Sequence, residues 1–329
     1  MKKEYLILIA IILILGAYLF LHQENRDNYA LPVTQKIEAS QISRINLFSQ
    51  KETIEFRKKA DHWVINKEEY AASSSDIQNM IDTIATFKLT ALVSETGEKR
   101  RYELDDEHHV RVNVFKGDQS IFEFSMGKTA PTFNHTFVML KDDKNIYHAN
   151  GSFKSNFDKD MDDFRDKKVL EFKKESIQKF SVEKDGLSKT FVAENQTAHT
   201  QAANTAETKK TESAEETREV SWRSTDDSLV DPKTITELLS SISSLECETY
   251  SYEITKTELN THPPLCTISL ENPDKLRLEI FKKGDGDPLF GISSMNNDAF
   301  LLSAYGGQEI ITKIEALLGI EKEEPEKTE

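Results

Sequence analysis

The sequence predicts an α+β fold of two tandem repeats, each an antiparallel β-meander with one packed helix, after a single N-terminal transmembrane helix. Three observations lead to this prediction. An unbroken apolar run fills residues 5–21. Two amphipathic helical patterns recur along the chain at one constant offset. Both are flanked by alternating apolar and polar residues, which are typical of half-buried strands.

The apolar run predicts a membrane anchor. As a helix it would reach roughly 25 Å, at the short end of what spans a bilayer, and it has no polar face. A cleaved signal peptide is the alternative, although signal cores are usually shorter and end at small residues. Lys2 and Lys3 precede the run, and no cationic excess follows it. The positive-inside rule then leaves the N-terminus in the cytoplasm and the body outside it. The short N-terminus resembles that of a bacterial inner-membrane protein.

Each repeat is predicted to begin with two alternating strands and a third strand centred on a tryptophan. These strands surround Leu47, Phe56 and Trp63 in the first copy, and Val182, Phe191 and Trp222 in the second. Because the two tryptophans occupy equivalent places, we expect both to belong to the cores.

One amphipathic helix follows in each repeat. Apolar residues recur at helical spacing from Ile77 to Phe87 and, at a constant offset, from Ile235 to Leu245. The first helix is preceded by Ser73, which forms a capping-box pattern with Asp76. The second is preceded by Asp231 and begins with a proline, which favours a helix start.

Further strands are predicted at 110–114, 122–124 and 136–140 in the first copy, and at 266–270, 278–280 and 299–302 in the second. The predicted organisation follows from these elements. It comprises a cytoplasmic N-terminus (1–4), an anchor (5–21), a stalk (22–40), repeat unit 1 (41–152), a helical connector (153–175), repeat unit 2 (176–320) and an acidic tail (321–329).

Two segments interrupt or join the repeats. Residues 193–219 hold no large apolar side chain, which predicts a disordered insertion at a hairpin tip, with a flexible docking segment as the alternative. The connector has Phe153, Phe157 and Phe164 on one helical face, with a solvated acidic face opposite. Residues 310–318 predict a short closing helix.

The net charge and the cysteine content limit the possible functions. The net charge of −15 repels phosphate backbones, so nucleic-acid binding is disfavoured. Cys247 and Cys266 stand at positions that are apolar in the first copy. They could form a disulfide outside the cytoplasm or remain reduced core residues.

Motifs for catalysis are absent from the sequence, which has no Walker loop, nucleophile elbow, Cys-x-x-Cys or zinc-protease helix. The densest titratable cluster surrounds His108 and His109, where we expect a polar loop, because adjacent strand residues point to opposite faces. His135 and His148 are expected near strand ends without a ligand role. No catalytic, cofactor-binding or metal-binding residue is therefore predicted, and no cofactor.

Four groups of residues carry a family resemblance. They are Trp63 before a helix, Tyr102-Glu103-Leu104-Asp105, Gly127-Lys128-Thr129-Ala130-Pro131, and Asp163-Phe164-Arg165-Asp166-Lys167 with Leu170 and Phe172. Their order resembles the bacterial family named domain of unknown function 4340 (DUF4340), which usually has glycine where this chain has Glu103. The resemblance implies a single-span envelope protein beside a membrane-protein partner, in an ABC-type transport or gliding-like complex. It implies no catalytic residue.

The leading functional hypothesis is a non-enzymatic envelope protein that acts as an accessory or scaffolding subunit of a membrane complex. The alternative is a periplasmic module that binds a ligand or cell-wall glycan through an aromatic patch using Tyr102, Phe133 or Tyr250. A cryptic hydrolase is the third hypothesis, and it would require titratable residues that converge in one pocket.

Overall fold

The computed structural model describes residues 11–18, 29–194, 221–271, 275–284, 286 and 288–320. The predicted cytoplasmic N-terminus, parts of the anchor and the stalk, nearly all of the insertion, and the acidic tail lie outside these residues. The chain divides into two compact units, unit 1 (Met1–Arg165) and unit 2 (Asp166–Glu329).

Unit 1 is built on a nine-stranded antiparallel sheet. Its strands are β1 (Arg44–Phe48), β2 (Thr53–Lys59), β3 (His62–Ile65), β4 (Tyr70–Ala71), β5 (Leu89–Ser94), β6 (Val110–Lys116), β7 (Gln119–Thr129), β8 (His135–Leu140) and β9 (Ile146–Asn150). Their order in the sheet is β4-β3-β2-β1-β6-β7-β8-β9-β5. The strand after the helix therefore crosses to the far edge, beside β9, which is not the order of a simple meander.

Helix α2 (Ser74–Ala85) covers one face of this sheet. Its start is set by Ser73, whose side chain accepts a hydrogen bond from the backbone N–H of Asp76, as the sequence predicts. The apolar positions Ile77, Met80 and Ile84 are buried against the inward residues of the sheet. Trp63 is partly buried and packs against the same core.

The segment after β9 contains no α-helix. Residues 153–164 form two short 3-10 turns, Lys154–Asn156 and Met161–Phe164, where the sequence predicts a continuous helix. The three phenylalanines of the predicted apolar face are nevertheless buried in the unit 1 core. The burial of these side chains is predicted correctly but the local backbone is not, because 3-10 turns repeat with nearly the same spacing as an α-helix.

Unit 2 contains an eight-stranded antiparallel sheet and a separate two-stranded one. Its strands are β10 (Lys168–Glu171), β11 (Lys179–Lys184), β12 (Leu187–Glu194), β13 (Ser221–Ser224), β14 (Ser244–Glu246), β15 (Thr249–Tyr250), β16 (Cys266–Glu271), β17 (Leu276–Phe281), β18 (Phe290–Ser293) and β19 (Phe300–Leu301). The larger sheet has the order β13-β12-β11-β16-β17-β18-β19-β15, and β10 pairs with β14. Ala193 and Glu194, predicted as the start of the disordered insertion, instead belong to β12, where Glu194 pairs with Ser221.

Three helices accompany these strands, α3 (Pro232–Ile242), α4 (Lys256–Leu259) and α5 (Ala304–Leu318). The Asp231 side chain caps α3 by accepting from the backbone N–H of Lys233. Helix α5 begins earlier than the predicted 310–318 because Ser303 caps it, accepting from Gly306 N–H. Helices α3 and α5 both contribute side chains to the unit 2 core.

The predicted fold class is wrong. The described residues are mostly antiparallel β-sheet with few helices, and unit 2 packs two long helices on its core rather than one. Short strands such as β4, β15 and β18 escape prediction because two to four residues are too few to show an alternating pattern. The sheet order also makes β8 and β18 equivalent strands, whereas the sequence pattern matches residues 136–140 with 299–302.

The predicted transmembrane helix is not found in the described part of the chain. Within the apolar run, residues 11–18 are helical and form helix α1. None of the helices in the described residues has the length and apolar character that a membrane crossing requires.

Cys247 and Cys266 are both buried, and the described residues hold no disulfide between them. Burial raises the pKa of Cys266 to about 12. Because the thiolate is the reactive form, we expect native Cys266 to react with Ellman's reagent at pH 8 about a thousandfold more slowly than in the unfolded chain. The measurement compares thiol release with and without guanidinium. Fast reaction of both thiols in the native protein, or a Cys247–Cys266 disulfide in non-reducing mass spectrometry, would contradict this expectation.

Candidate functional site

A cleft in unit 1 lies on the face of the sheet opposite α2. It has a volume of about 740 Å³ and is bounded by the loop before β6 and by the outward residues of β6, β7 and β8. Charged groups line it, among them Lys99, Arg111, Glu123 and Lys141, together with the imidazole of His109. Glu123 lies 3.0 Å from Lys141 and 3.9 Å from Arg111, so the charges within the cleft partly neutralise one another.

The titratable cluster singled out in the sequence forms a tight turn at the rim of this cleft. His108 Nδ1–H donates to the Asp105 carboxylate at 2.7 Å, and His109 Nδ1–H donates to the Asp105 carbonyl oxygen at 2.7 Å. The backbone N–H of Glu107 donates to the same carboxylate. The hydrogen bond from His108 is the main reason why the pKa of Asp105 is lowered.

A metal ion could in principle use part of this turn. One ligand atom each from Asp105, Glu107 and His108 lies within 4.8 Å of the others. The sequence analysis expected a polar loop here, but it did not predict that the loop would form a turn that brings these three side chains together. Asp105 and His108 already hydrogen-bond to each other, however, and all three residues come from one exposed turn. We therefore assign the cluster a structural role, as the start of β6.

Two of the four groups that carry the family resemblance meet in space at Gly127. A Cβ atom at this position would lie 2.1 Å from the Tyr102 carbonyl oxygen and 2.9 Å from that of Glu103. The Tyr102-to-Asp105 segment thus crosses strand β7 with its main chain almost touching it. Leu104 is buried there, and the Tyr102 ring packs against Phe137 with ring centres 4.8 Å apart. Only glycine allows this approach.

The structure also explains the position where this chain departs from the usual family residue. Glu103 has a φ of 57°, in the left-handed region that favours glycine. Its carboxylate lies 3.4 Å from the Lys154 ammonium, a half-exposed ion pair of small energy. The family glycine therefore matches the backbone conformation, and glutamate is tolerated with some strain.

We expect Glu103→Gly to raise the free energy of unfolding of unit 1 by about 0.5 kcal/mol. The free energy gained by relieving the strain of the left-handed backbone should exceed the free energy lost with the Lys154 ion pair. Equilibrium urea unfolding measures the change. Glu103→Ala is the control, since it removes the ion pair and keeps the strain, so it should be neutral or slightly destabilising. Equal effects of the two substitutions would contradict the backbone explanation.

The remaining predicted residues do not form one site. His135 stacks on His148 with ring centres 5.2 Å apart, and burial, then the His135 charge, lowers the pKa of His148. Phe133 is 77% exposed at the tip of the β7–β8 hairpin. Tyr250, in unit 2, is only 4% exposed and donates its hydroxyl to the Asp166 carbonyl oxygen. Tyr250 is therefore not available to line an open aromatic patch.

Sequence reasoning missed a pattern on strands β1 and β6. Both strands read Arg-apolar-Asn-apolar-Phe, as RINLF in residues 44–48 and RVNVF in residues 111–115. Their antiparallel register sets Arg44 opposite Phe115, Asn46 opposite Asn113, and Phe48 opposite Arg111. We call these six residues the ladder. The five-residue pattern is visible twice in the sequence, but that these side chains lie opposite one another follows only from the pairing of the two strands.

The ladder faces away from α2, because the residues between its members are buried in the core. The Arg44 guanidinium lies over the Phe115 ring at 4.0 Å, and that of Arg111 over the Phe48 ring at 4.4 Å. Such cation–π contacts hold the two guanidinium planes in place on this face. The result is a local pseudo-twofold surface with one fixed cation at each end.

Comparisons with known proteins bear on the family alone. A family model described as a domain of unknown function, DUF4340, matches residues 63–264. No curated protein and no solved structure matches the chain. The matched region includes the Tyr102-to-Asp105 segment, Gly127 and the residues from Asp163 to Phe172. Since it spans more than half of the sequence, the chain belongs to the DUF4340 family.

Proposed function

We propose that the protein is a non-enzymatic accessory subunit that binds a membrane-protein partner through unit 1. The observation that carries this proposal is the ladder, which holds two arginines over phenylalanine rings on the sheet face opposite α2, Arg111 exposed and Arg44 half-buried. Exposed arginine and aromatic residues are typical of protein interfaces, where they contribute much of the binding energy. A transport-type or gliding-like complex is the partner class that the family resemblance implies.

A binding role is also supported by how the titratable groups are used. Asp105, His108 and His109 hold one another in the turn before β6 instead of facing a common reacting centre. The lowered pKa of Asp105 keeps its carboxylate ionised, which suits a hydrogen-bond acceptor in a turn rather than a general acid.

We place both units outside the cytoplasm as part of the same proposal. Two lysines followed by an apolar run are typical of export signals, and this pattern supports the location. A reporter enzyme fused to the C-terminus tests it, with alkaline phosphatase expected to be active and a cytoplasmic reporter inactive. The reverse pattern would overturn this part of the proposal.

Cross-linking the full-length protein in native membranes tests the proposed partner. We expect integral membrane proteins to co-purify with the cross-linked protein at a level well above that of an uncross-linked sample. A pulldown without partners from efficiently cross-linked membranes would contradict the accessory role. Hydrolysis of general ester, phosphoester or glycoside substrates by the purified protein would contradict the non-enzymatic part of the proposal.

Binding of a small ligand is the second candidate, because the cleft of about 740 Å³ is large enough to hold one. A thermal-shift screen with envelope glycans and their fragments tests this candidate. Stabilisation that Arg111→Met or Lys141→Met abolishes would favour the cleft as the main site.

A further inference from the structure

We infer that the ladder binds an extended acidic segment of a partner protein, with one carboxylate at Arg44 and a second at Arg111. This inference rests on the proposed function and adds the chemistry of the partner. Four observations carry it, namely unsatisfied polar atoms, the contrast with unit 2, the spacing of the arginines and the charge of the whole chain.

Polar atoms at the centre and one end of the ladder lack partners. Arg44 Nε and Asn46 Oδ1 are buried, and neither has a hydrogen-bond partner among the described residues. Arg44 also forms no ion pair with a carboxylate in that part of the chain, and its contact is with the Phe115 ring. The positive charge of Arg44 therefore has no carboxylate partner within the described residues, and a carboxylate from outside can supply one.

In the equivalent strands of unit 2, the outward charged residues pair with each other. In that sheet β11 pairs with β16, as β1 pairs with β6 in unit 1. The outward residue Lys179 lies directly opposite Glu271, and the two side chains form an ion pair at 2.8 Å. Ser181 lies opposite Ser269 between them. The same position in unit 1 holds an arginine opposite a phenylalanine, so the anionic partner must come from elsewhere.

The spacing of the two arginines fits an extended chain. Arg111 is level with Phe48, four residues along from Arg44, which is about 13 Å at the rise of a β-strand. An extended peptide would place carboxylates this far apart when two acidic residues are four positions apart. Asn46 and Asn113 lie between the arginines, where their carboxamides can pair with the main chain of the peptide.

Carboxylates suit this surface better than a polyanion does. A guanidinium held flat on a ring still offers its edge to a carboxylate in a two-point hydrogen bond. The net charge of −15 disfavours a continuous polyanion such as a nucleic acid or an anionic lipid surface. Glu55 and Glu123 lie opposite Asn46 and Asn113, so they repel negative charge at the centre of the ladder and restrict carboxylates to its two arginine ends. A short segment with only two carboxylates places its negative charge at the two arginines and little of it elsewhere on the acidic protein.

Fluorescence anisotropy with the purified full-length protein tests the inference. The probe is a labelled Thr/Ser peptide with two Glu residues four positions apart, and the control probe has Gln in both places. We expect the Glu peptide to bind at least about tenfold more tightly, with affinity falling as salt rises. Arg44→Met keeps an unbranched side chain over Phe115 but removes its charge, and it should weaken binding of the Glu peptide about tenfold.

Lys58→Met is the matched control. Lys58 is an exposed cation on the neighbouring strand β2, and it shares the strand face of the buried Ile54 and Phe56 rather than that of the ladder. Its loss should change the affinity by less than about twofold. Arg44→Lys, which keeps the charge without the planar fork, should fall between wild type and Arg44→Met.

Three results would overturn the inference. The first is equal affinity for the Glu and Gln peptides. The second is an equal loss of affinity in Arg44→Met and Lys58→Met when both variants melt like the wild type. The third applies if Arg44→Met does not fold, and it is wild-type affinity in Arg44→Lys. If membrane proteins still co-purify at the wild-type level with the double variant Arg44→Met Arg111→Met, the ladder is not the binding site. The proposed accessory role would not be contradicted by that result. A wild-type protein that captures no partner would instead contradict the proposed function itself.

Discussion

Replacing Phe164 with alanine is expected to lower the free energy of unfolding of unit 1 by about 4 kcal/mol. The side chain is fully buried, and its ring meets that of Phe56 edge to face with centres 5.1 Å apart. The substitution leaves a cavity in a core whose neighbouring backbone is held in place, because the Phe164 carbonyl accepts from Ser73 N–H at the start of α2.

Urea unfolding followed by tryptophan fluorescence can isolate this effect. Each unit has one of the two tryptophans, so in a Trp222→Phe background Trp63 reports unit 1 alone. Phe133→Ala is the matched control, because Phe133 is 77% exposed with a left-handed φ of 57°, and its loss should change stability by less than about 0.5 kcal/mol. Similar effects of the two substitutions would show that residues 153–165 do not belong to the unit 1 core.

Replacing Gly127 with alanine is expected to destabilise unit 1 by about 3 kcal/mol. The new Cβ atom would lie 2.1 Å from the Tyr102 carbonyl oxygen, far inside van der Waals contact. The opposing atom belongs to the main chain, so a change of rotamer cannot relieve the clash. Either strand β7 or the segment that carries Leu104 must move, and the packing of Leu104 against Phe137 would be lost with it.

Gly117→Ala separates this clash from the general effect of removing a glycine. Gly117 has a φ of 58°, and a Cβ atom added there would meet nothing within 4 Å, so only backbone strain of about 1 kcal/mol is expected. The same Trp63 fluorescence measurement serves both variants. If Gly127→Ala costs no more than Gly117→Ala, the close approach of the two family segments is not important for stability.

Local patterns predicted much of the secondary structure. Helices α2 and α3 were found from apolar spacing and from caps at Ser73 and Asp231, all of which act within one turn of the chain. Strands β1, β2, β6 and β16 were found from alternation because one face of each is buried. The fold class was wrong because several short strands and the order of the sheets depend on distant residues.

The candidate site was not predictable in the same way. Asp105, Glu107 and His108 were noticed as a cluster, but their contacts depend on a turn that sequence patterns do not specify. The ladder was not noticed at all, although its pattern occurs twice, because each strand alone shows only polar residues alternating with apolar ones.

The sequence by itself determined most of the buried side chains of the longer strands and where helices α2 and α3 begin. These features follow from hydrophobic periodicity and caps, which are local in the chain. Only the tertiary structure decided that β5 joins the far edge of its sheet, that Gly127 faces the Tyr102 carbonyl, and that Arg44 lies over Phe115. The physical reason is that strand order and register arise from hydrogen bonds between segments far apart in sequence, and no local pattern encodes which partners those bonds will join.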